Sequence, residues 1–255
     1  MKTTLIIQAR MGSSRLPGKV LMDISGKPML EWVIRRGSQA KWIDEVLVAT
    51  TDEPADDPIE QWCVANQLPC FRGSVFDVLD RFYHAALSSG TDVVVRVTAD
   101  CPLIDPKVMD DVIDLLLTSG ADFAANRLPP PWHRTFPIGL DVEAVWFGML
   151  ERAWKEAVKP FEREHVMPWF YSVEGRCKVE ILDHDPDYGM HRWTVDTPED
   201  YLLLQEIFKK LDDPLRASWY DILKLIEQNP DLERINQSTR AKRVDVVDER
   251  NIKQQ

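Results

Sequence analysis

The feature that most constrains the fold of this chain is an alternation of apolar runs with helical repeats between residues 3 and 120. An apolar run that ends at a polar loop predicts a strand, and a segment whose apolar residues recur every three or four positions predicts a helix. The predicted strands are 3–8, 45–50, 70–73 and 92–97, and the predicted helices are 58–67, 77–88, 107–118 and a segment that begins near residue 29. This order predicts an α/β fold with a mostly parallel sheet and helices on both faces. Ligands of such sheets bind beyond the carboxyl ends of the strands, so we expect the functional loops to be 9–27, 51–54 and 98–106.

The alternation weakens after residue 126, where a proline-rich stretch at 128–133 predicts a surface excursion. The remaining predicted elements are strands at 140–146 and 177–182 and helices at 149–158, 198–211 and 219–228. We therefore divide the chain into a main domain over 1–211, which contains an excursion at 126–175 for substrate binding and dimerisation, and a C-terminal helix with a polar tail over 212–255.

Aromatic residues are concentrated in and near the excursion. The segment 128–136 and the side chains of Trp146, Phe147, Trp169 and Phe170 are more aromatic than a solvated edge should be. We expect them to form an apolar surface through which two copies of the chain associate as a homodimer.

Charge and cysteine content exclude several classes of protein. Among 255 residues, 31 Lys and Arg stand against 42 Asp and Glu, and the net charge of -11 argues against sequence-independent binding to nucleic acid or anionic lipid. No uncharged run approaches the ~18 residues of a membrane span, and the N-terminal apolar run is too short for a secretion signal. The four cysteines lack paired spacing, which argues against a disulfide framework and against a structural zinc site. We expect a cytoplasmic protein that binds neither nucleic acid nor a membrane.

The loop after the first strand carries three cations close together, Arg10, Arg15 and Lys19. Gly12 and Ser13 in the same loop let backbone N–H groups approach phosphate oxygens, whose charge the cations neutralise. The spacing from glycine to lysine is not that of a Walker A loop, and valine rather than Ser or Thr follows the lysine. The pattern favours a polyphosphate site, with a solvated basic loop as the alternative.

Two aspartates follow predicted strands. Asp100 comes directly after the strand at 92–97, and Asp196 follows an apolar run at 193–195. Carboxylates at this rim are the ligands that a Mg²⁺ ion bridging phosphate oxygens requires, although either aspartate alone also suits a turn or a helix cap. Together with the phosphate loop they predict a Mg²⁺ site, and we expect the two carboxylates to repel each other when the site is empty.

Two further clusters are ambiguous. Asp183 and Asp185 form a D-x-D pair, the metal motif of many glycosyltransferases that use sugar nucleotides, and they equally suit a turn. Arg163 and His165 belong to a polar group before an apolar segment, which indicates either a substrate contact or a helix surface. The histidines of the chain lack the spacing of zinc ligands.

Six stretches of the chain, taken in order, resemble a known family. They lie at 7–29, 73–81, 96–106, 139–143, 163–166 and 194–200. They are similar to the cytidylyltransferases that activate acidic sugars such as acylneuraminate and 3-deoxy-manno-octulosonate. More particularly, they resemble the branch typified by the spore coat polysaccharide biosynthesis protein F. The resemblance spans about residues 2–211.

The resemblance implies a Rossmann-like nucleotidyltransferase fold, related to that of the type-A glycosyltransferases. It implies that an oxygen of a sugar or sugar acid attacks the α-phosphorus of a nucleoside triphosphate, with CTP as the expected triphosphate, and that pyrophosphate is lost. It places this reaction in cell-surface polysaccharide biosynthesis. It also implies catalytic roles for Arg10, Lys19 and Asp100, Mg²⁺ binding by Asp100 and Asp196, and a homodimer. The nucleotide-binding residues that it implies are Gln8, Ala9, Arg10, Gly12, Ser13, Arg15, Lys19, Arg72 and Thr98. The substrate-binding residues that it implies are Asp141, Glu143, Arg163 and His165.

The chain departs from the better-known acidic-sugar enzymes at two positions. Those enzymes carry Gln two residues before the metal aspartate, where this chain has Thr98, and they carry Pro where this chain has Gln8. The identities of the base and of the sugar are therefore open. Two other functions also stay open, a type-A glycosyltransferase that consumes a nucleotide sugar through Asp183 and Asp185, and a nucleotide-binding protein without catalysis.

Overall fold

The computed structural model describes residues 1–129 and 133–239. Its strands are β1 Thr3–Gln8, β2 Asp23–Ile24, β3 Lys27–Pro28, β4 Glu45–Thr51, β5 Cys70–Gly73, β6 Val93–Thr98, β7 Phe123–Ala125, β8 Arg127–Leu128, β9 His133–Arg134, β10 Glu143–Trp146 and β11 Val179–Ile181. Its helices are α1 Met29–Gly37, α2 Asp57–Ala65, α3 Val78–Ser89, α4 Pro106–Ser119, α5 Phe147–Glu156, α6 Pro160–His165, α7 Pro168–Tyr171, α8 Pro198–Lys210, α9 Trp219–Gln228 and α10 Asp231–Arg234.

Seven of these strands form one sheet in the order β11-β7-β10-β6-β1-β4-β5. Parallel pairing joins β6, β1, β4 and β5, and it also joins β11 to β7. β10 runs antiparallel to both of its neighbours, β6 and β7. The predicted mostly parallel sheet is confirmed. Because β1 and β6 pair in parallel with Gln8 opposite Thr98, the loops that follow them leave the same edge of the sheet.

Both faces of the sheet are buried, which explains why its central strands are continuous apolar runs. Along β1, Leu5 and Ile7 enter the core shared with α1, α4, α8 and α9, whereas Ile6 enters the core shared with α3, α5 and α7. These three side chains are 0% exposed, and each contributes roughly 1.5–3 kcal/mol through burial. Helices therefore cover both faces, as predicted.

The predicted aromatic surface is wrong for three of its residues, one of which is Phe136, 4% exposed and part of the core. Trp169 and Phe170 are 1% and 0% exposed, because α7 packs them against the sheet, where Phe170 stacks on Phe123 with ring centroids 5.4 Å apart. Trp146 and Phe147 are half-buried.

Residues 130–132 of the proline-rich stretch and residues 240–255 of the tail lie outside the described residues.

The helix predicted at 219–228 is confirmed, and it belongs to the same core as the first half of the chain. Trp219, Ile222 and Ile226 are at most 4% exposed and share a core cluster with side chains of α1 and α4. The division of the chain after residue 211 stays a prediction. In the described ranges, none of the helices is long and apolar enough to cross a membrane.

Candidate active site

A cavity of about 220 Å³ opens where β1 and β6 end. Its lining combines the loop after β1, the end of β6 and the segment before α8, and consists of Gln8, Arg10, Ser13, Ser14, Arg15, Lys19, Val20, Thr98, Ala99, Asp100 and Asp196. The structure thus brings the predicted phosphate loop and both predicted metal aspartates to one place. A larger cavity of about 720 Å³ lies between α8 and α10 on the other side of Arg192, and its lining contains neither the loop nor these two aspartates.

The loop after β1 is shaped by its own backbone and by a buried carboxylate. The Met11 carbonyl accepts hydrogen bonds from the N–H groups of Ser13 and Gly18, each at 2.9 Å, and Gly18 adopts a φ of +73° that favours glycine. Asp56 is 3% exposed and accepts from the Met11 N–H at 2.6 Å and from the Thr51 hydroxyl. Sequence reasoning misses Asp56, because only the folded chain brings it to a loop 45 residues earlier.

The Lys19 ammonium lies between the two predicted metal aspartates. Its Nζ donates to Asp100 Oδ2 at 2.7 Å, to Asp196 Oδ1 at 3.0 Å and to the Val195 carbonyl at 2.6 Å, which uses all three of its N–H groups. Burial lowers the pKa of Lys19, but the two carboxylates outweigh burial and the pKa is raised. The Lys19 ammonium, which lies between the carboxylates, offsets the repulsion expected between them.

Asp196 accepts from two further cations. Arg15 Nη2 lies 2.9 Å and Arg192 Nη2 lies 2.7 Å from its Oδ2. Arg192 is itself held by the fully buried Asp200, whose Oδ1 lies 3.0 Å from the Arg192 Nε. Burial by itself raises the pKa of Asp196. The cations Lys19, Arg192 and Arg15 outweigh burial and lower the pKa to about 2. Sequence reasoning misses Arg192 and Asp200, although the capping-box spacing before α8 is a signal for a structural Asp200.

Asp100 is oriented from both sides. The Thr98 hydroxyl donates to its Oδ1 at 2.5 Å. Its carbonyl accepts from the Val195 N–H at 2.9 Å and from the Thr194 hydroxyl at 3.1 Å, which ties the end of β6 to the segment before α8. Thr98 therefore lines the cavity and orients the aspartate at the same time.

Asp141 and Glu143 lie in a row of ion pairs outside the cavity lining. Arg134 Nη2 donates to Asp141 Oδ2 at 3.0 Å, and Arg127 Nε lies 3.4 Å from the same oxygen. Arg127 also lies 3.5 Å from Glu143, which pairs with Arg96 on its other side. Burial raises the pKa of Asp141, but Arg134 and Arg127 outweigh burial and hold it below its usual range.

Three other residues that the sequence predicts to bind the nucleotide or the sugar are not part of the cavity lining. Arg72 donates to Glu60 at 2.7 Å, and Arg163 Nε donates to Asp77 at 3.0 Å. The His165 Nε2 is buried without a hydrogen-bond partner among the described residues, and burial lowers the pKa of this histidine. Ala9 and Gly12 belong to the phosphate loop but are not part of the lining. The ligand-binding roles of these residues stay predictions.

The D-x-D pair is not part of this site. Asp183 pairs with His133 and accepts from the Thr135 hydroxyl at 3.4 Å, and neither Asp183 nor Asp185 lines the cavity. Within residues 1–129 and 133–239, no group of three His, Cys, Asp or Glu side chains is arranged to hold a metal ion by itself. A divalent cation at Asp100 and Asp196 therefore needs further oxygen ligands from the backbone, from water or from a substrate.

The model of a family described as cytidylyltransferase matches residues 4–237. The chain belongs to this cytidylyltransferase family. The family resemblance of the sequence is thereby confirmed, and the match continues beyond residue 211 through α9 and α10.

Relatives and solved structures support the same family. The chain is 35% identical to an uncharacterized protein of Methanocaldococcus jannaschii over 98% of this chain and 100% of that protein. It is 30% identical to the spore coat polysaccharide biosynthesis protein SpsF of Bacillus subtilis over 89% of this chain and 94% of that protein. A cytidylyltransferase structure from Leptospira borgpetersenii superposes with a TM-score of 0.85 at 33% identity, covering 95% of this chain and 99% of that one. A CMP:2-keto-3-deoxy-manno-octonic acid synthetase complexed with CTP shares the fold, with a TM-score of 0.61 at 20% identity, covering 82% of this chain and 99% of that one.

Proposed function

We propose that this cytidylyltransferase transfers a cytidylyl group from CTP to an oxygen of a sugar or sugar acid and releases pyrophosphate. The observation that carries the proposal is the shared cavity, in which the cationic loop after β1 faces two strand-end carboxylates. The names of the relatives support the substrates, because they include 8-amino-3,8-dideoxy-manno-octulosonate cytidylyltransferases and SpsF. The proposed product enters the synthesis of a cell-surface polysaccharide.

Cytidylyl transfer requires that the substrates are positioned and that the phosphate charge is neutralised, and it needs no covalent bond to a side chain. Backbone N–H groups of the loop, with Arg10 and Arg15, would hold the triphosphate oxygens. Lys19 would neutralise charge next to the α-phosphorus, which the sugar oxygen attacks as pyrophosphate leaves. Each of these side chains lines the cavity.

The two aspartates fit a Mg²⁺ ion. Asp100, Asp196 and the Val195 carbonyl already place three oxygens around one cation, the Lys19 ammonium, at 2.6–3.0 Å. Magnesium sites commonly use one or two carboxylates and take phosphate and water oxygens for the remaining positions. When bound, the ion would withdraw negative charge from the α-phosphate oxygens.

The test is an incubation of the protein with CTP, UTP, ATP or GTP in the presence of Mg²⁺ and a panel of sugar acids and sugar phosphates. We expect pyrophosphate release with CTP and at least one acceptor. Consumption of a nucleotide sugar instead would support a glycosyltransferase, and nucleotide binding without turnover would support a protein that has lost the chemistry. Omission of Mg²⁺ is the control for the metal.

We also propose that the protein acts in the cytoplasm as a homodimer. The four cysteines are free in the structure, which suits a reducing compartment that supplies nucleoside triphosphates. The half-buried Trp146 and Phe147 support an apolar contact between copies, now without the three buried aromatic side chains of the predicted surface. Light scattering at micromolar concentration tests the dimer, and a monomeric mass would contradict it.

A further inference from the structure

A line of three side chains crosses the sheet toward the cavity, from Glu143 on β10 through Arg96 on β6 to Gln8 on β1. Glu143 lies opposite Arg96, and Gln8 lies opposite Thr98, two residues further along β6. Because side chains alternate along a strand, Arg96 and Thr98 face the same side of the sheet as Gln8. Glu143 and Arg96 are 3% and 9% exposed, so the line runs inside the protein and ends at the cavity that Gln8 lines.

Arg96 determines which end of the Gln8 amide faces the cavity. Its Nε and Nη2 both donate to the Gln8 Oε1, at 3.3 and 2.9 Å. A reversed amide would set the Gln8 NH2 group against two guanidinium N–H groups, and neither of these can accept a hydrogen bond. The NH2 group is therefore the side of the amide that remains for a ligand in the cavity.

Glu143 in turn holds Arg96. The Arg96 Nη1 donates to the Glu143 carboxylate, while the other edge of the same guanidinium contacts Gln8. A planar guanidinium held at both edges presents its donors in one fixed plane. Two buried side chains thus fix the orientation of a third, which is accessible to ligands.

We propose that Gln8 is a fixed hydrogen-bond donor to the nucleotide base, and that Arg96 and Glu143 are positioning residues that hold its amide in the donating orientation. This assigns Glu143 a role through Arg96 instead of direct contact with the sugar. The inference rests on the proposed function, because it takes the ligand of the cavity to be a nucleoside triphosphate.

The distribution of charge in the cavity supports the base as the partner of Gln8. The loop cations and the two aspartates suit the triphosphate and its counter-ion, whereas Gln8, Thr98 and Ala99 form an uncharged part of the lining. A neutral NH2 donor suits a neutral acceptor. Cytosine presents a ring nitrogen and a carbonyl oxygen as adjacent acceptors, so a fixed donor facing this edge can bind it.

The test compares calorimetric binding of CTP with that of inorganic triphosphate, which lacks the base. Gln8→Met retains length and removes the donor, so we expect the Kd for CTP to rise about tenfold while the Kd for triphosphate stays unchanged. Glu143→Gln should show the same pattern at about threefold, because Arg96 loses the charge that holds it. Gln61→Met, at an exposed position on α2, is the matched control and should change neither value.

Three outcomes would overturn the proposal. Unchanged CTP affinity in Gln8→Met, or equal weakening of CTP and triphosphate, would exclude the base contact. Unchanged CTP affinity in a folded Glu143→Gln protein would exclude the positioning role. If Glu143→Gln does not fold, the test is the NMR signal of the Gln8 side-chain amide in the unsubstituted protein. We expect this signal to shift when CTP is added and not when triphosphate is added, and a signal that does not distinguish the two ligands would contradict the proposal. Failure of the proposed function is a separate result, the absence of CTP-dependent pyrophosphate release from the unsubstituted protein.

Discussion

Lys19 has one role in the structure and another in the proposed reaction. In the structure its ammonium neutralises Asp100 and Asp196, at 2.7 and 3.0 Å. A metal cation bound by those carboxylates would compete with the Lys19 ammonium for the same oxygens. Because Lys19 lines the same cavity as the phosphate loop, its displaced ammonium would still lie next to that loop. The same side chain therefore holds the two carboxylates together in the structure and, in the proposed reaction, would provide a charge for the triphosphate.

Asp100→Asn should abolish pyrophosphate release and also lower the melting temperature. The substitution retains shape but removes one of the two charges around the buried Lys19, at an expected loss of about 1–3 kcal/mol of folding free energy. Asp111→Asn is the matched control, because Asp111 pairs with Lys107 on the exposed side of α4. That variant should retain activity, and its free energy of unfolding should lie within about 0.5 kcal/mol of that of the unsubstituted protein. Full activity in Asp100→Asn would remove this residue from the reaction.

Asp196 should make stability depend on pH in a defined acidic range. Its pKa is lowered in the folded protein from 3.8 to about 2, so its contribution is complete above about pH 4 and is lost as the pH falls through 2. The contribution amounts to about 2 kcal/mol. Urea unfolding should therefore show a stability difference between the unsubstituted protein and Asp196→Asn that is constant from pH 7 to 5 and shrinks toward pH 2.5. A difference independent of pH would contradict the assignment.

At the residue scale, the sequence predicts which charged side chains form the site, but it does not predict which of them pair with each other. A run of cations after an apolar strand, and aspartates at two strand ends, are local patterns that indicate charge and position. The contacts of Lys19 depend on partners 81 and 177 residues away, which only the folded chain brings together. Asp56 and Arg192 have no local pattern that links them to the loop, and they emerge only from tertiary contacts.

At the element scale, Asp77 joins α3 to α6. Its carboxylate accepts from the Asp80 N–H at the start of α3 and from Arg163 Nε at 2.9 and 3.0 Å. Arg163→Ala should therefore destabilise the protein by about 1–3 kcal/mol while leaving the KM for the acceptor sugar unchanged. Thermal unfolding and steady-state kinetics check both expectations. A raised KM with unchanged stability would instead support the substrate contact that the sequence resemblance implies.

The longer elements could be predicted because each carries its own repeat, as β1, β6 and α4 do. β7 has three residues and is a strand only because β10 and β11 pair with it on either side, so its short sequence contains no sufficient pattern. α6 and α7 have six and four residues, too few for a helical repeat to be recognised. Aromatic content alone does not show which face a short helix buries, which is why Trp169 and Phe170 were expected at the surface.

At the scale of the whole molecule, one buried arginine joins the first half of the chain to the segment after residue 211. Arg36 on α1 is 0% exposed, and burial lowers its pKa to about 10, which leaves it charged at neutral pH. It donates at 2.6–2.8 Å to the carbonyl oxygens of Ile104, Pro214 and Ala217. Charge-assisted bonds of this kind are among the stronger hydrogen bonds of a protein. These bonds join the predicted main domain, residues 1–211, to the segment that the predicted division places outside it.

A protein shortened to residues 1–211 should consequently fail to unfold cooperatively. It would lose Trp219, Ile222, Leu223 and Ile226, which are 0–6% exposed. It would also leave Arg36 without three of its carbonyl partners, those of Pro214, Leu215 and Ala217. Burial of each of these side chains contributes roughly 1.5–3 kcal/mol, so together they rival the whole stability of about 5–15 kcal/mol. The control is a protein shortened to residues 1–239, which retains every described contact and should melt in one transition. A cooperative transition in the 1–211 protein, followed by circular dichroism, would instead establish residue 211 as a true domain boundary.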